Sequence, residues 1–357
     1  HGRSFWILDD LTQLRQLPEI EGIDSPNILQ PRDTIRITAA LRNRKAATGK
    51  NYQLSLGAAV TYTEDKNTYG EVERTFLDAG QNPPAGVLLN YFLPEQTDDE
   101  VSLTFLDHSG VEIVTYSNNV DDTSSAEDEI TQLTIPSNIG MNRFIWDMRY
   151  PPANRVPGDK TTEDRVASGP VAPPGRYTVV LRSSGDEQSK TFEIIKDPRV
   201  EATQKDLEDQ FNFLLSIRDR LSETHDSINR IRNVRSQIDE WAQRVIGHSS
   251  ETLVTEAAKN ITDKLSTIEG ELIQTGYQGA RDRLNLPSRL NSKLSEISSV
   301  VSAGDFAPTR QSYEVFQAVS DAIEPYLATL QNTIDEDVSD FDNLVHELGI
   351  PAVVGRP

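Results

Sequence analysis

The sequence contains no cysteine, which excludes disulfides, thiol nucleophiles, iron–sulfur clusters and cysteine-ligated zinc. No apolar run approaches the roughly 18–20 residues needed to cross a bilayer, so no transmembrane segment is expected. No basic stretch followed by an apolar one opens the chain, and no signal peptide is visible in it. Positive charge is scarce: 35 Lys and Arg stand against 56 Asp and Glu, a formal net charge of −21. Long-range repulsion by such a surface argues against nucleic acid or anionic membrane as a partner. The excess is −10 over residues 1–200 and −11 over 201–357. It is therefore a general solubilising surface and not a tail or one patch.

Several reactive motifs are also missing. The five histidines, His1, His108, His225, His248 and His346, form neither H-x-x-x-H nor H-E-x-x-H, so no zinc-hydrolase face is expected. No G-x-S-x-G, G-x-x-x-x-G-K-[ST] or G-x-G-x-x-G occurs to build a nucleophile elbow, phosphate loop or dinucleotide turn. No cofactor and no metal site follows from the pattern.

What is present, over 357 residues, is room for two or three domains with 36% hydrophobic content for their cores. Between Phe5 and Lys196 the apolar residues come in short runs: Thr34–Leu41, Leu54–Tyr62, Val87–Leu93, Val101–Leu106, Val111–Tyr116, Arg143–Met148, Tyr177–Leu181 and Thr191–Ile195. Several alternate with period two, the pattern of a strand buried on one face. Asp107-His108-Ser109-Gly110 and Ser183-Ser184-Gly185-Asp186 read as hairpin turns, and Pro173-Pro174-Gly175 as a rigid turn into a strand. The expectation is an antiparallel β-sandwich of the immunoglobulin or fibronectin type over residues 27–198, with no helical run inside it. Two long loops interrupt it, 118–129 and 151–170. Asp121, Asp122, Glu127 and Asp128 in the first are hard oxygen ligands of the sort calcium takes, but the D-x-D-x-D-G spacing is absent, so a solvated loop is expected.

After Asp197-Pro198-Arg199 the period changes to about 3.6. Thr203 and Asp206 resemble a capping box. Leu207, Phe211, Leu214, Leu221, Ile228, Ile231, Val234, Ile238, Trp241 and Val245 then mark one helix of about 40 residues. Leu253, Ala257, Ile261, Leu265, Ile268 and Leu272 mark a second, and Pro287 precedes a third carrying Leu290, Leu294, Ile297 and Val301. A fourth starts after Pro308-Thr309 and runs to Leu344, with a kink expected at Pro325. An elongated antiparallel helical bundle over 199–348, broken near 276–287, is the simplest packing; 349–357 is a tail. The fold class is thus α+β and multidomain, a sandwich followed by a bundle.

Candidate site residues are few. Asp147, in Phe144-Ile145-Trp146-Asp147-Met148-Arg149, sits among aromatics where a carboxyl pKa can rise, although an ion pair with Arg143 or Arg149 accounts for it equally simply. Asp9 and Asp10 follow the aromatic pair Phe5-Trp6 and fit turn caps. His225 falls near the apolar stripe of the first helix, where a carboxylate such as Glu223 or Asp226 is its expected partner. Arg218, Arg220, Arg230, Arg232, Arg235 and Arg244 are interleaved with acids, which predicts ion pairing within and between helices. Asn260-Ile261-Thr262 is a glycosylation sequon placed inside a predicted helix, where its use is not expected.

The segments also carry a resemblance. His1–Asp10 (HGRSFWILDD) with Leu14-Arg15-Gln16-Leu17, Gly80–Gly86 (GQNPPAG), Asn142–Pro151 (NRFIWDMRYP), Ala172–Tyr177 (APPGRY), Asp197-Pro198-Arg199 and Gln210–Ser222 resemble, in order, the C-terminal region of bacterial sortilin-like, BNR-repeat β-propeller proteins, a group often labelled glycosyl hydrolase. The resemblance implies export to the periplasm or exterior, and an upstream propeller of which residues 1–26 are the last strand and a linker. No S-x-D-x-G-x-T-W box of that repeat occurs in the chain, so no catalytic residue is implied here. On this reading the chain is the tail of a longer protein, a non-catalytic accessory region that supports the propeller or binds a protein or glycan. Phe5, Trp6, Asp9, Asp10, Trp146, Asp147 and Arg149 are its structural or interaction candidates. The alternative is part of a glycoside hydrolase whose active site lies in the propeller or at its junction, with an acidic, aromatic-lined cleft near Trp6, Asp9 or Asp147.

Overall fold

A computed structural model of the chain describes residues 10–37, 49–55, 58–66, 72–78, 85–95, 99–119, 133–162, 168–279 and 281–350. The architecture is mixed α+β. Contacts divide the chain into two compact units, His1–Pro151 with Val171–Glu208, and Pro152–Pro170 with Asp209–Pro357. The chain therefore passes between them three times.

The first unit opens with helix α1 (Thr12–Ile20), in a stretch the sequence presents as a linker. Pro18 inside the segment argues against a helix from composition alone, but the Asp10 carboxylate accepts the Thr12 N–H at 2.9 Å and starts it. Eleven strands are described: β1 (Asn27–Ile28), β2 (Thr34–Arg36), β3 (Gly49–Ser55), β4 (Ala58–Lys66), β5 (Val72–Phe76), β6 (Val87–Leu93), β7 (Ser102–Leu106), β8 (Glu112–Ser117), β9 (Gly140–Trp146), β10 (Gly175–Ser183) and β11 (Asp186–Lys196). They form three sheets, ordered β1-β6-β9, β2-β11-β10-β7-β8 and β3-β4-β5.

The run Leu54–Tyr62, expected as one strand, is divided between β3 and β4, which pair antiparallel with Ser55 opposite Ala58. One pairing departs from the antiparallel expectation: β2 runs parallel to β11, Ile35 opposite Ile195. The chain reaches that edge guided by side chains, the Gln30 amide donating to the Thr191 carbonyl and the Asp33 carboxylate accepting the Glu193 N–H. The two predicted hairpin turns form. Ser184 and Gly185 both take positive φ, 51° and 87°, between paired Ser183 and Asp186, the geometry a two-residue turn needs to follow strand twist. At the other, the Asp107 carboxylate accepts N–H bonds from Ser109 and Val111.

Strand alternation puts Val87, Leu89, Tyr91 and Leu93 of β6, Phe144 and Trp146 of β9, Leu103 and Phe105 of β7, Tyr177, Val179 and Leu181 of β10, and Phe192 and Ile194 of β11 into one buried cluster. The β1-β6-β9 and β2-β11-β10-β7-β8 sheets share that core. Asp197, just after β11, is gripped by Arg199, whose Nε and Nη2 reach its carboxylate at 2.9 and 2.6 Å.

The second unit is helical: α2 (Gln204–Arg244), α3 (Glu251–Leu272), a short 3₁₀ turn (Asp282–Leu284), α4 (Leu290–Val301), α5 (Arg310–Asn332), a π-helical stretch (Thr333–Val338) and α6 (Ser339–Glu347). The capping box before α2 is made in both directions, Thr203 N–H to the Asp206 carboxylate at 2.8 Å and Asp206 N–H to Thr203 Oγ1 at 3.2 Å. Thr309 caps α5 through the Ser312 N–H. The helix continues through Pro325, and the register changes instead at the π stretch. The α3 stripe is shifted by one residue from the sequence reading at its start. Val254 and Ala258 are buried and Leu253 is 52% exposed, because 254, 258, 261, 265, 268 and 272 alternate steps of four and three and so keep one face.

All five helices contribute to one apolar cluster, and Ala153 and Val156 of the 152–170 segment join it. Gln210, buried, donates to the carbonyls of Val301 and Gly304 and so closes the C-terminus of α4. The arginines of α2 are paired largely as their spacing predicts. Arg220 meets Glu223 and Glu324, Arg218 meets Asp219, and Arg232 and Arg235 meet Glu269.

Candidate functional site

Phe5, Trp6 and Asp9 lie outside the described residues, as does the acidic stretch 120–129. Asp10, Trp146, Asp147 and Arg149 fall in the first unit, and Asp10 accepts the Thr12 N–H at the start of α1, with Arg32 Nε 4.0 Å from its carboxylate. Desolvation raises the Asp10 pKa, but the bonds from Thr12 and the charges of Arg32 and Arg143 outweigh it and the net shift is downward.

Trp146 is fully buried at the end of β9. Its indole stacks on Phe105 with ring centroids 4.4 Å apart and meets Tyr177 and Phe192 edge-on at 5.9 and 6.2 Å. Its Nε1–H donates to the Arg149 carbonyl at 3.3 Å. Such a ring organises a core and has no face left for a sugar. Asp147 and Arg149 flank Met148, which takes φ +62°. Asp147 accepts the Arg149 N–H at 3.0 Å, and the Arg149 guanidinium lies 3.7 Å from the same carboxylate. Desolvation by surrounding protein moves the Asp147 pKa up and Arg149 opposes it. With 58% of the side chain open to water, that effect is screened. The three residues form a corner: the Met148 carbonyl accepts the Ala172 N–H at 2.7 Å, and Arg149 pairs with Val171. The geometry is a fold joint.

The richest polar constellation lies in the second unit. Residues 152–162, read from sequence as part of a loop, form an extended strap along α2. Four α2 side chains at steps of three, four and three residues address its main chain. Ser222 Oγ accepts the Asn154 N–H at 3.1 Å, and His225 Nδ1 lies 2.6 Å from the Asn154 carbonyl. Asn229 Nδ2 donates to the Arg155 carbonyl at 2.7 Å and Arg232 Nη1 to that of Pro157 at 2.9 Å. The Asn154 amide in turn donates to both oxygens of Asp226, at 3.0 and 2.9 Å. Further along, Asp159 accepts from the Thr161 N–H and Oγ1 and from the Thr162 hydroxyl. Asn291, wholly buried on α4, donates to Thr161 Oγ1 at 2.9 Å.

The expected carboxylate partner of His225 is therefore corrected to a main-chain carbonyl, because Asp226 is spent on Asn154. Burial pushes the His225 pKa down, against the Asn154 bond and the charges of Asp159 and Asp226. Its Nε2 is buried and has no hydrogen-bond partner among the described residues. Sequence reasoning found His225 but not the row it belongs to. Ser222, His225, Asn229 and Arg232 repeat beside the apolar stripe Leu221, Ile228 and Ile231, so they line up along one edge of α2.

An open depression of about 470 Å³ borders this row, lined by Asp219, Ser222, Glu223, Asp226, Ser227 and Arg230. Its carboxylates are engaged by Arg218, Arg220 and Asn154. Among the described residues, no group of three or more His, Asp and Glu is placed to hold a metal ion, and no helix is long and apolar enough to cross a membrane. Compared with family models, curated proteins and solved structures, the chain matches none.

Proposed function

We propose that this chain is a non-catalytic accessory and interaction region of an exported, sortilin-like β-propeller protein. In this reading the first unit is a sandwich of the immunoglobulin or fibronectin type and the second an elongated helical bundle. Together they support the propeller or offer surface to a protein or glycan. The observation that carries the non-catalytic part is the use to which the chemically capable side chains are put. Asp147 holds the Arg149 N–H, His225 the Asn154 carbonyl, and Trp146 the aromatic core. His225 and Trp146 are buried, and Asp147, though open to water, is engaged by the Arg149 N–H and guanidinium; general acid–base work requires a group free to reach a substrate proton.

The propeller and the export rest on the resemblance, and reading the gene upstream of His1 tests them. Boxes of the S-x-D-x-G-x-T-W type are expected there, and an unrelated domain would overturn the reading. For residues 1–357 themselves, no release of reducing sugar from a panel of polysaccharides is expected. Turnover that Asp147→Asn abolishes would refute the non-catalytic reading.

A further inference from the structure

His225 is wholly buried and sits at the point where the strap enters its row of α2 donors. The 2.6 Å contact with the Asn154 carbonyl requires a hydrogen on Nδ1, so in the neutral ring Nε2 is the unprotonated nitrogen. That atom is buried and has no hydrogen-bond partner among the described residues. A second proton would place there both a charge and an N–H donor with no acceptor, and burying either without compensation is costly. The charged groups acting on the ring among the described residues are Asp159 from the strap and Asp226 from its own helix. Asp226 is bonded to the Asn154 amide, and Asp159 to Thr161 and Thr162, and neither carboxylate hydrogen-bonds Nε2.

We propose that the strap 152–162 is a proton-operated latch on the helical unit, held closed by neutral His225 and released when the imidazole takes up a proton. The other strap contacts fit a segment that can leave as a piece. Asn229 and Arg232 each hold it by one hydrogen bond to a main-chain carbonyl, and only Ala153 and Val156 insert apolar side chains into the helical core. The sign follows from burial. The closed state lowers the affinity of His225 for protons, so the open state binds more of them. Acidification below the ordinary histidine range, about 6.5, therefore moves the balance toward opening.

The test is amide hydrogen exchange on the full chain at pH 7.5 and 5.5, each rate divided by the intrinsic rate at that pH. The Asn154 amide, bonded to Ser222 of α2, reports release of the strap, the Asp159 and Thr161 amides, bonded within it, report its internal order, and amides in the middle of α3 serve as the reference. Protection of the strap is expected to fall severalfold at pH 5.5 while α3 holds. In His225→Asn, whose amide can donate to the Asn154 carbonyl but does not titrate, the strap is expected to show no such fall. A strap equally protected at both pH values in the parent chain, or falling alike in the variant, overturns the latch. Should His225→Asn not fold, NMR titration of the His225 ring in the parent chain decides. Its midpoint must coincide with the loss of strap protection, and titration of the ring with the strap still protected refutes the proposal.

Discussion

A Cβ placed on Gly86 would stand 2.4 Å from the carbonyl oxygen of Trp146 and 2.9 Å from Ile145 Cγ2. Gly86 also has φ +142°, where residues with a side chain are strained. It ends the Gly80–Gly86 segment just before Val87 pairs with Trp146, so two stretches singled out separately in the sequence meet at one backbone contact. Gly86→Ala should lower stability by about 2–4 kcal/mol, strain and displacement of β9 together. Urea unfolding followed by tryptophan fluorescence measures it. An unchanged midpoint would mean that the close approach is not maintained in solution.

Trp146 is the centre of the aromatic group that includes Phe105, Tyr177 and Phe192. Trp146→Ala is expected to cost about 3–5 kcal/mol, the range for emptying a large aromatic site, and Trp146→Phe clearly less. A site that stacks sugar would behave differently: the alanine variant would lose glycan binding at nearly parental stability. Thermal unfolding and binding measured side by side on both variants separate the two roles.

Much of this fold was legible because the signals were local. Ser184-Gly185, Thr203 with Asp206 and the stripe Leu265-Ile268-Leu272 each fix their own geometry within a few residues. What was not legible depended on partners distant in the chain. Nothing near Ile35 announces that it lies parallel to Ile195, some 160 residues on. The strap shows the same limit. Proline, glycine and charge describe correctly residues 151–162 as without helix or strand, but their order comes from Ser222, His225, Asn229 and Arg232, about 70 residues later. Asp147 was readable as an ion-pair member, whereas its role in holding the left-handed Met148 corner emerged only with the backbone.

Glu269 is nearly buried, 4% exposed, between Arg232 at 2.7 Å and Arg235 at 2.8 Å, and Arg232 also holds the Pro157 carbonyl. Removing the acid leaves two guanidiniums facing each other, each about a third exposed. That exposure tempers the penalty of an uncompensated charge, and Glu269→Gln should cost about 1–3 kcal/mol. It should also loosen the strap near Pro157, because Arg232 loses the anchor that orients it. Chemical denaturation gives the first quantity, and amide exchange at Asp159 and Thr161 the second. A variant with lowered stability and an unaltered strap would show that Arg232 is positioned by something other than Glu269.

Asp197 offers a pH dependence of defined sign. Its carboxylate is almost covered, 6% exposed, while the Arg199 that grips it is 72% exposed. The covering comes from its own turn rather than from depth in the interior. Side-chain and backbone bonds from Arg199 therefore dominate over desolvation, and hold the carboxyl at a pKa of about 2. A carboxyl whose folded pKa lies below its unfolded value, about 3.9, stabilises the fold fully above that value. The contribution fades as the pH falls from about 4 to about 2. Asp197→Asn is accordingly expected to be less stable than the parent at pH 7, and the gap should close as the pH falls through that window. Urea midpoints of the two proteins at pH 7, 4 and 2.5 check this. A gap that is constant with pH would assign the effect of the substitution to packing rather than to the ionised pair with Arg199.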